Sequence, residues 1–479
     1  MRVAWTVSEV RAAEAESGVA EHVLIDRAST AVARRGAAML GGVYGARVLV
    51  AAGPGHNGAD ALWAADKLRQ RGAAVDVYLP LGEPRDEHGA EPLRRLRAAG
   101  ARGLRDGVPY DLTIDGILGV GGRVPEWDEQ PAWAPLLAHG WRRMLAVDVP
   151  TGLDADTGRG GAWTVRATAT VTFGRLKPGL VVGASYAGLV EVAPIGLGPT
   201  GGWSGYPQAD ATTLVVEADD VASYVGTPPV GSHKFHRGVV GVCAGSEGYP
   251  GAAALACRGA QRAGCGYVRL VAPGPVADLV RAAYPEVVAQ DGHANAWVVG
   301  PGLGTDERAL GLLREALATN APVVVDADAI TLLAQHRELL RRDPPTVLTP
   351  HTGEFERLTG VKRDDAESDP IGVARAAAAD LGCVVLLKGP TTVVSDGRVA
   401  VLVPTGTPWL ATAGTGDVLA GVIGSFLVGG GRDTVTATAA AAWLHGMAAR
   451  VAAGEPGAAI TAHDVAERLP DAARIAVAR

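Results

Sequence analysis

Cysteine is scarce in this chain of 479 residues: Cys243, Cys257, Cys265 and Cys383 are all there is, and all fall in the second half. No two have metal-ligand spacing, and a disulfide framework would be odd in so long a chain. Free thiols in a reducing, cytoplasmic setting are expected. Long apolar runs are missing too. The longest, near residues 418–428, is too short and too rich in glycine to span a bilayer. The N-terminal stretch carries Glu9, Glu14 and Glu16 without an apolar core, and does not read as a signal peptide. Positive charge is in deficit, with 44 Lys and Arg against 51 Asp and Glu, for a net charge of −7. Neither a nucleic-acid nor an anionic-membrane partner is expected from that balance. Arginine far outnumbers lysine, which reads as coding bias and not as a basic patch.

What is present is a globular balance, 48% hydrophobic and 20% charged. The length suits two or three domains. In the first half, helical spacing over residues 7–18 and 24–40 precedes alternating strands and helices. Strands are expected at 47–52, 74–79, 112–118, 144–149 and 168–173, with helices at 59–71 and 87–99. That is a doubly wound α/β pattern, whose ligands bind beyond the carboxyl ends of the strands. A break rich in Gly and Pro near residues 199–207 places a boundary, giving domains 1–212 and 213–479. The second half repeats the alternation, with strands near 239–244, 267–272, 296–299, 323–326, 347–348, 384–387, 392–395 and 399–403. Two three-layer α/β domains are expected.

Polar residues gather at three strand ends of the first half. Residues 53–60 form a Gly-rich loop, though the dinucleotide fingerprint GxGxxG is absent. Asp115 precedes the flexible run 116–122, and Asp148 precedes Pro150-Thr151-Gly152. Asn57, Asp115 and Thr151 offer hard oxygens of the kind a cation wants. Asp148 is then free for acid/base work. Alone, each is an ordinary α/β turn. In the second half, residues 412–421 read Thr-Ala-Gly-Thr-Gly-Asp-Val-Leu-Ala-Gly. A Gly-rich turn entering a helix makes an anion hole. Gly414 and Gly416 can take positive φ and leave no Cβ in the way of a phosphate, and Asp417 is placed to take a proton as phosphate arrives, unless it merely caps the helix. His351 is either a satisfied histidine under a loop or a ligand group beside Glu354. Lys388 either snorkels or serves the same site. Asp326 and Asp328 are either paired carboxylates or, following a strand, an N-cap for the next helix, and the second reading is preferred.

The strings at 53–60, 115–122 and 147–158 are similar to the N-terminal domain of bifunctional NAD(P)H-hydrate repair enzymes, the NAD(P)HX epimerases. By that resemblance Asn57, Asp115 and Thr151 bind potassium. His56, Asn57, Gly58, Ala59 and Asp60, with Gly119, Val120, Gly121, Gly122, Arg123, Val124 and Pro125, hold the nucleotide of the hydrate. Asp148 is the acid/base at C6. The family pattern NNGGDG departs here to His56-Asn57-Gly58-Ala59-Asp60-Ala61, and Ala59 costs about 1 kcal/mol or more if it must take positive φ.

The strings at 245–252, 262–270, 300–304, 324–329, 349–354, 386–394 and 412–421 are similar to the NAD(P)H-hydrate dehydratase domain of the ribokinase-like superfamily. The resemblance assigns Lys388, Gly389, Pro390, Thr391, Thr392, Gly414, Thr415 and Gly416 to the adenine nucleotide. It assigns Ala252, Gly304, His351 and Asp417 to the hydrate, and Glu354 to Mg²⁺ through water. Ala413 stands where many relatives have Gly. The implied fold is a Rossmann-like domain followed by a ribokinase-like one. The implied activity is metabolite repair: epimerisation of hydrated NADH and NADPH (NADHX and NADPHX) at C6, then dehydration driven by ADP or ATP. A homo-oligomer is expected, with small-residue helices such as residues 437–442 packing between subunits. The alternative is a small-molecule kinase with a non-catalytic N-terminal nucleotide-binding module.

Overall fold

The computed structural model describes all residues except 106, 122–129, 139–141, 198–212, 430–432 and 479. The chain forms two compact units, Ala4–Ser204 and Met1–Val3 together with Gly205–Arg479.

The short strand β1 (Arg2–Ala4) comes first, then helices Val7–Glu16 and Glu21–Leu40. Six strands follow: β2 (Arg47–Ala52), β3 (Ala74–Tyr78), β4 (Leu112–Gly116), β5 (Met144–Val147), β6 (Ala169–Phe173) and β7 (Leu189–Ala193). They build a parallel sheet ordered β3-β2-β4-β5-β6-β7. Central strands β4, β5 and β6 are buried along their whole length, as a parallel sheet covered on both faces requires. The strand order reverses between β2 and β4, the point where a sheet of this kind has a crevice beyond its carboxyl ends. Edge strand β7 went unforeseen because its apolar pattern is weak; Leu189 is 60% exposed.

The second unit contributes β8 (Thr213–Val215), β9 (Val239–Cys243), β10 (Tyr267–Val271), β11 (Ala296–Val299), β12 (Val323–Val325), β13 (Thr346–Leu348), β14 (Val384–Leu387), β15 (Thr392–Ser395) and β16 (Ala400–Val403). The sheet order is β1-β8-β16-β15-β14-β13-β12-β11-β9-β10. It is parallel from β10 to β14 and turns antiparallel at β15. Residues at the very start of the chain thus edge the sheet of the second unit, and the Met1 ammonium pairs with Asp220.

Helix Thr415–Leu427 lies against helix Pro250–Arg262. The crossing is close because both helices offer glycine. A Cβ on Gly421 would sit 2.1 Å from the Ala256 carbonyl, and one on Gly259 would sit 2.3 Å from the Val418 carbonyl. That contact fixes where the N-terminus of the Gly-rich helix points. Residues 437–442 are buried inside this unit, in helix Thr434–Ala453, so they are spent on its own core and not on a subunit contact. All four cysteines are free and buried. Among the described residues no helix is long and apolar enough to cross a membrane.

Candidate active sites

The first unit carries a cleft of about 760 Å³ at the carboxyl ends of β2, β4 and β5. Its lining includes Gly55, His56, Asn57, Asp60, Gly119, Val120, Gly121 and Asp148. Gly122, Arg123, Val124 and Pro125 lie outside the described residues. Ala59 sits inside helix His56–Gln70 with no positive φ, so the departure from NNGGDG carries no backbone strain. Ala61 is accommodated across the sheet, because a Cβ on Gly116 would come within 2.3 Å of the Ala61 methyl.

Asp148 follows β5 in a left-handed conformation, φ 63°. Such a turn is costly for a non-glycine residue and is held here by side-chain bonds. Its Oδ1 accepts from Lys177 Nζ at 2.7 Å, from Thr172 Oγ1 at 3.0 Å and from the Phe173 N–H at 3.3 Å. Lys177 is almost wholly buried, and also donates to Thr172 Oγ1 and the Phe173 carbonyl. Three donors thus occupy one carboxylate oxygen, and Oδ2 is left to the cleft. Sequence reasoning missed Lys177.

Asp115 and Thr151 meet as expected. The Thr151 hydroxyl donates to Asp115 Oδ1 at 2.6 Å and its N–H donates to Oδ2 at 2.8 Å. The Leu118 N–H donates to Thr151 Oγ1 at 3.0 Å. The Asn57 side chain, on the neighbouring helix, packs against the loop that follows β4: a Cβ on Gly119 would lie 2.9 Å from its Cγ. Burial pushes the Asp115 carboxyl up to about 6. Among the described residues it has no side-chain cation, and Asn57 Nδ2 is buried without a partner. One buried carboxylate, one amide and one hydroxyl suit a monovalent cation.

In the second unit the chemistry gathers at the carboxyl ends of β12, β13 and β14. Gly414 is the N-cap of helix Thr415–Leu427 at φ 87°, and Asp417 falls in the first turn without capping it. Gly416 is helical, and the freedom to take positive φ is used at Gly414 alone of the two. Ala413 also avoids positive φ. Lys388, just after β14, donates to Asp326 Oδ1 at 2.8 Å and lies 3.8 Å from Glu354 Oε2. Burial works against its ammonium, but Asp326 and Glu354 outweigh it and raise its pKa. Asp417 is pushed up to about 7 by burial and by the charge of Asp326, with Lys388 pulling the other way.

Asp326 and Asp328 are not an N-cap. The cap of helix Asp328–Leu333 is Ala327, at φ 49°, with no side-chain bond to the helix. That turn sends Asp326 to Lys388 and Thr349, and Asp328 to the Gly304 N–H at 2.9 Å. His351 caps helix Thr352–Thr359 through Nδ1, and its half-exposed ring places Nε2 3.5 Å from Glu354 Oε1. It is therefore not a buried histidine under a loop. Glu354 closes the reciprocal bond by accepting the His351 N–H at 3.0 Å. Among the described residues no three of His, Cys, Asp or Glu converge tightly enough to ligate a metal directly. Asp326, Asp328, Glu354 and Asp417 around one lysine still fit a divalent cation held through water. His445 is a further residue that sequence reasoning passed over. Burial pulls its pKa down to about 4, and it is bonded to the Thr415 backbone.

The NAD(P)H-hydrate dehydratase family matches residues 240–471, and the family described as YjeF-related protein N-terminus matches residues 21–179. The bifunctional NAD(P)H-hydrate repair enzyme of Mycobacterium leprae is 42% identical over 471 residues, 95% of either chain. That of Mycobacterium tuberculosis is 42% identical over 447 residues, 90% of either chain. The chain belongs to the bifunctional NAD(P)H-hydrate repair enzymes. Two activities come with the family, an epimerase in the first half and a nucleotide-dependent dehydratase in the second. Among solved structures, the ADP/ATP-dependent NAD(P)H-hydrate dehydratase from Bacillus subtilis, co-crystallised with ATP and Mg²⁺, aligns at TM-score 0.50 and 30% identity. It covers 55% of this chain and 98% of its own. A ribokinase-like protein from Enterococcus faecalis shares the fold at TM-score 0.51 and 24% identity, over 58% of this chain and all of its own. The dehydratase half is thus ribokinase-like and the epimerase half Rossmann-like.

Proposed function

We propose that the two units act in series on hydrated NADH and NADPH, with the residues above in defined roles. The substrate carries water across the 5,6 double bond of the nicotinamide ring, and hydroxide leaves poorly. In the dehydratase half Asp417 takes the C6 hydroxyl proton while that oxygen receives a phosphoryl group from ADP or ATP. The ring nitrogen N1 then expels phosphate, and loss of a C5 proton restores the double bond. The amides of Gly414, Thr415 and Gly416, with Lys388, neutralise the transferred charge. Gly389, Pro390, Thr391 and Thr392 complete the nucleotide site, and Ala252, Gly304 and His351 face the S hydrate. Glu354 would hold Mg²⁺ through water, and the ion would supply charge neutralisation at the phosphoryl group. Asn57, Asp115 and Thr151 would hold potassium, which would balance the buried Asp115 charge. In the epimerase half Asp148 moves protons at C6, so that the R hydrate also reaches the dehydratase.

The observation that carries this reading is Asp417, raised to about 7 in the first turn of a helix whose amides lie beside Lys388. We further expect ADP as the preferred nucleotide, cytoplasmic residence, a homo-oligomer and a domain boundary at 212/213. The direct test feeds the purified protein hydrated NADH, Mg²⁺ and either nucleotide, and follows the return of reduced-nicotinamide absorbance. No return with ADP or ATP would overturn the reading.

A further inference from the structure

The epimerase cleft holds a second carboxyl group, Asp60, for which the resemblance implies only a place in nucleotide binding. Asp60 lies on helix His56–Gln70 and lines the same cleft as Asp148. It is only 8% exposed, and its Oδ1 has no hydrogen-bond partner among the described residues. A buried carboxyl oxygen left unpaired is costly, and persists where function wants it. No ion pair serves Asp60 among the described residues, whereas Asp148 has Lys177 at 2.7 Å. The two carboxyl groups of one cleft thus have opposite surroundings, one beside a buried ammonium and one without a cation. Such pairs divide acid from base.

We propose that Asp60 is a second catalytic residue of the epimerase half, a neutral carboxylic acid that lends its proton to ring nitrogen N1 while Asp148 takes the hydroxyl proton. This rests on the reading of Asp148 as the base at C6. Its protonation follows from place. Burial raises the Asp60 pKa well above the usual carboxylate range, and the negative charges of Asp148 and Glu14 raise it further. Glu14 faces it from helix Val7–Glu16 and Asp148 from the end of β5; Arg11, His56 and Arg85 also line the cleft.

Inversion at C6 then balances. Asp148 Oδ2 takes the hydroxyl proton, and the freed pair becomes the second bond of an aldehyde as C6–N1 breaks. The electrons of that bond go to N1, which receives the Asp60 proton. The aldehyde carbon turns its other face to N1. On reclosure N1 returns its proton to Asp60 and bonds to C6, while Asp148 returns its proton to the oxygen. No atom is lost, both carboxyl groups regain their starting states, and the opposite epimer leaves.

The test uses the full chain and the R hydrate. Asp60→Asn keeps the shape of the side chain but has no acidic proton to lend. Its kcat for epimerisation should fall at least about 10²-fold with KM nearly unchanged. Calorimetry of the first unit's own unfolding transition reports whether the epimerase half of the variant is folded. In the unmodified protein kcat for epimerisation should fall at alkaline pH, since the acid is lost as pH rises through its raised pKa. An infrared difference spectrum, unmodified protein minus Asp60→Asn, should show a protonated-carboxyl band at neutral pH. An unchanged kcat, a loss carried by KM alone, a flat alkaline limb or an absent band would each overturn the proposal. Asp148→Asn separates the two claims. If it stalls epimerisation while Asp60→Asn does not, only the role of Asp60 fails; if it epimerises normally, the base assignment fails.

Discussion

Lys177 and Asp148 form a buried ion pair in which the ammonium takes Oδ1 at 2.7 Å and leaves Oδ2 facing the cleft. The lysine sets both the angle of the carboxylate and the oxygen that works. Lys177→Met would strand the Asp148 charge in a buried site. The expected cost is about 3–5 kcal/mol of stability in the first unit, from breaking one side of a buried pair. Epimerisation should fall at least tenfold, roughly the worth of one charge-assisted hydrogen bond, while dehydration holds. Calorimetry of the two unfolding transitions, with both activities assayed in parallel, would check it. Unchanged stability and epimerisation together would show that the pair does nothing for Asp148.

Asp148→Asn should keep full activity on the S hydrate and stall on the R hydrate. An epimer mixture should then clear in a fast and a slow phase, where the unmodified protein shows one. Adding the unmodified first half as a separate chain should restore the single phase. One fast phase from Asp148→Asn alone would refute the role given to this carboxylate.

Asp417→Asn should lose at least about 10²-fold in dehydration, the usual scale of a general base. Nucleotide binding should survive on the helix amides and Lys388. The pKa of about 7 adds a pH dependence. The base must be ionised, so kcat/KM should decline as pH drops below about 7 and level off above it. A flat profile from pH 5 to 9, with no loss in the variant, would remove Asp417 from the mechanism.

Asn57→Ala and Asp115→Ala should weaken epimerisation and its response to potassium together, leaving dehydration alone. Equal epimerisation rates in sodium and potassium buffers would mean that the oxygen cluster serves the fold and not a cation.

His445 should tie stability to pH. Its folded pKa of about 4 lies below the ordinary value of 6.5 because burial disfavours the charged ring. Between those values the unfolded chain binds the proton and the folded chain does not, so stability is lost as pH falls from 6.5 towards 4. At about 1.4 kcal/mol per unit the loss approaches roughly 3 kcal/mol. The raised carboxyl groups Asp115 and Asp417 act in the opposite sense over the same range, so the comparison must be made within one background. The change in unfolding free energy between pH 6.5 and 4 should differ between His445→Gln and the unmodified protein by about that amount, the variant losing less stability, or gaining more, on acidification.

Most of both sheets could be read from the sequence because buried parallel strands are short apolar runs closed by glycine or an acid. The strand ends singled out Asn57, Asp115, Asp148 and Thr151 as candidates, and the Gly-rich entry to a helix singled out Asp417. Lys177 could not be found that way: it follows β6 at no fixed distance from its partner, and only the fold brings it to Asp148. One clue was available. The chain has five lysines, and Lys177 and Lys388 are two of them. Where arginine is the default cation, a lysine marks a position that needs a compact point charge. Asp326 and Asp328 were misread because the N-cap pattern is local, whereas Ala327 at φ 49° is imposed by the strand-to-helix turn around it.

The pairing of β1 with β8 has a topological consequence. Chain order suggests two domains laid end to end, but by contact the epimerase is an insertion into the dehydratase, entered after the first strand and left before the second. During synthesis Met1–Val3 emerge long before their partner strand exists, so the dehydratase sheet can be completed at that edge only after the epimerase has been made. Cutting the gene at the middle would return a dehydratase with β8 as a raw, unpaired margin, the kind of edge that invites self-association. A faithful dehydratase fragment would need the first four residues spliced back ahead of Thr213.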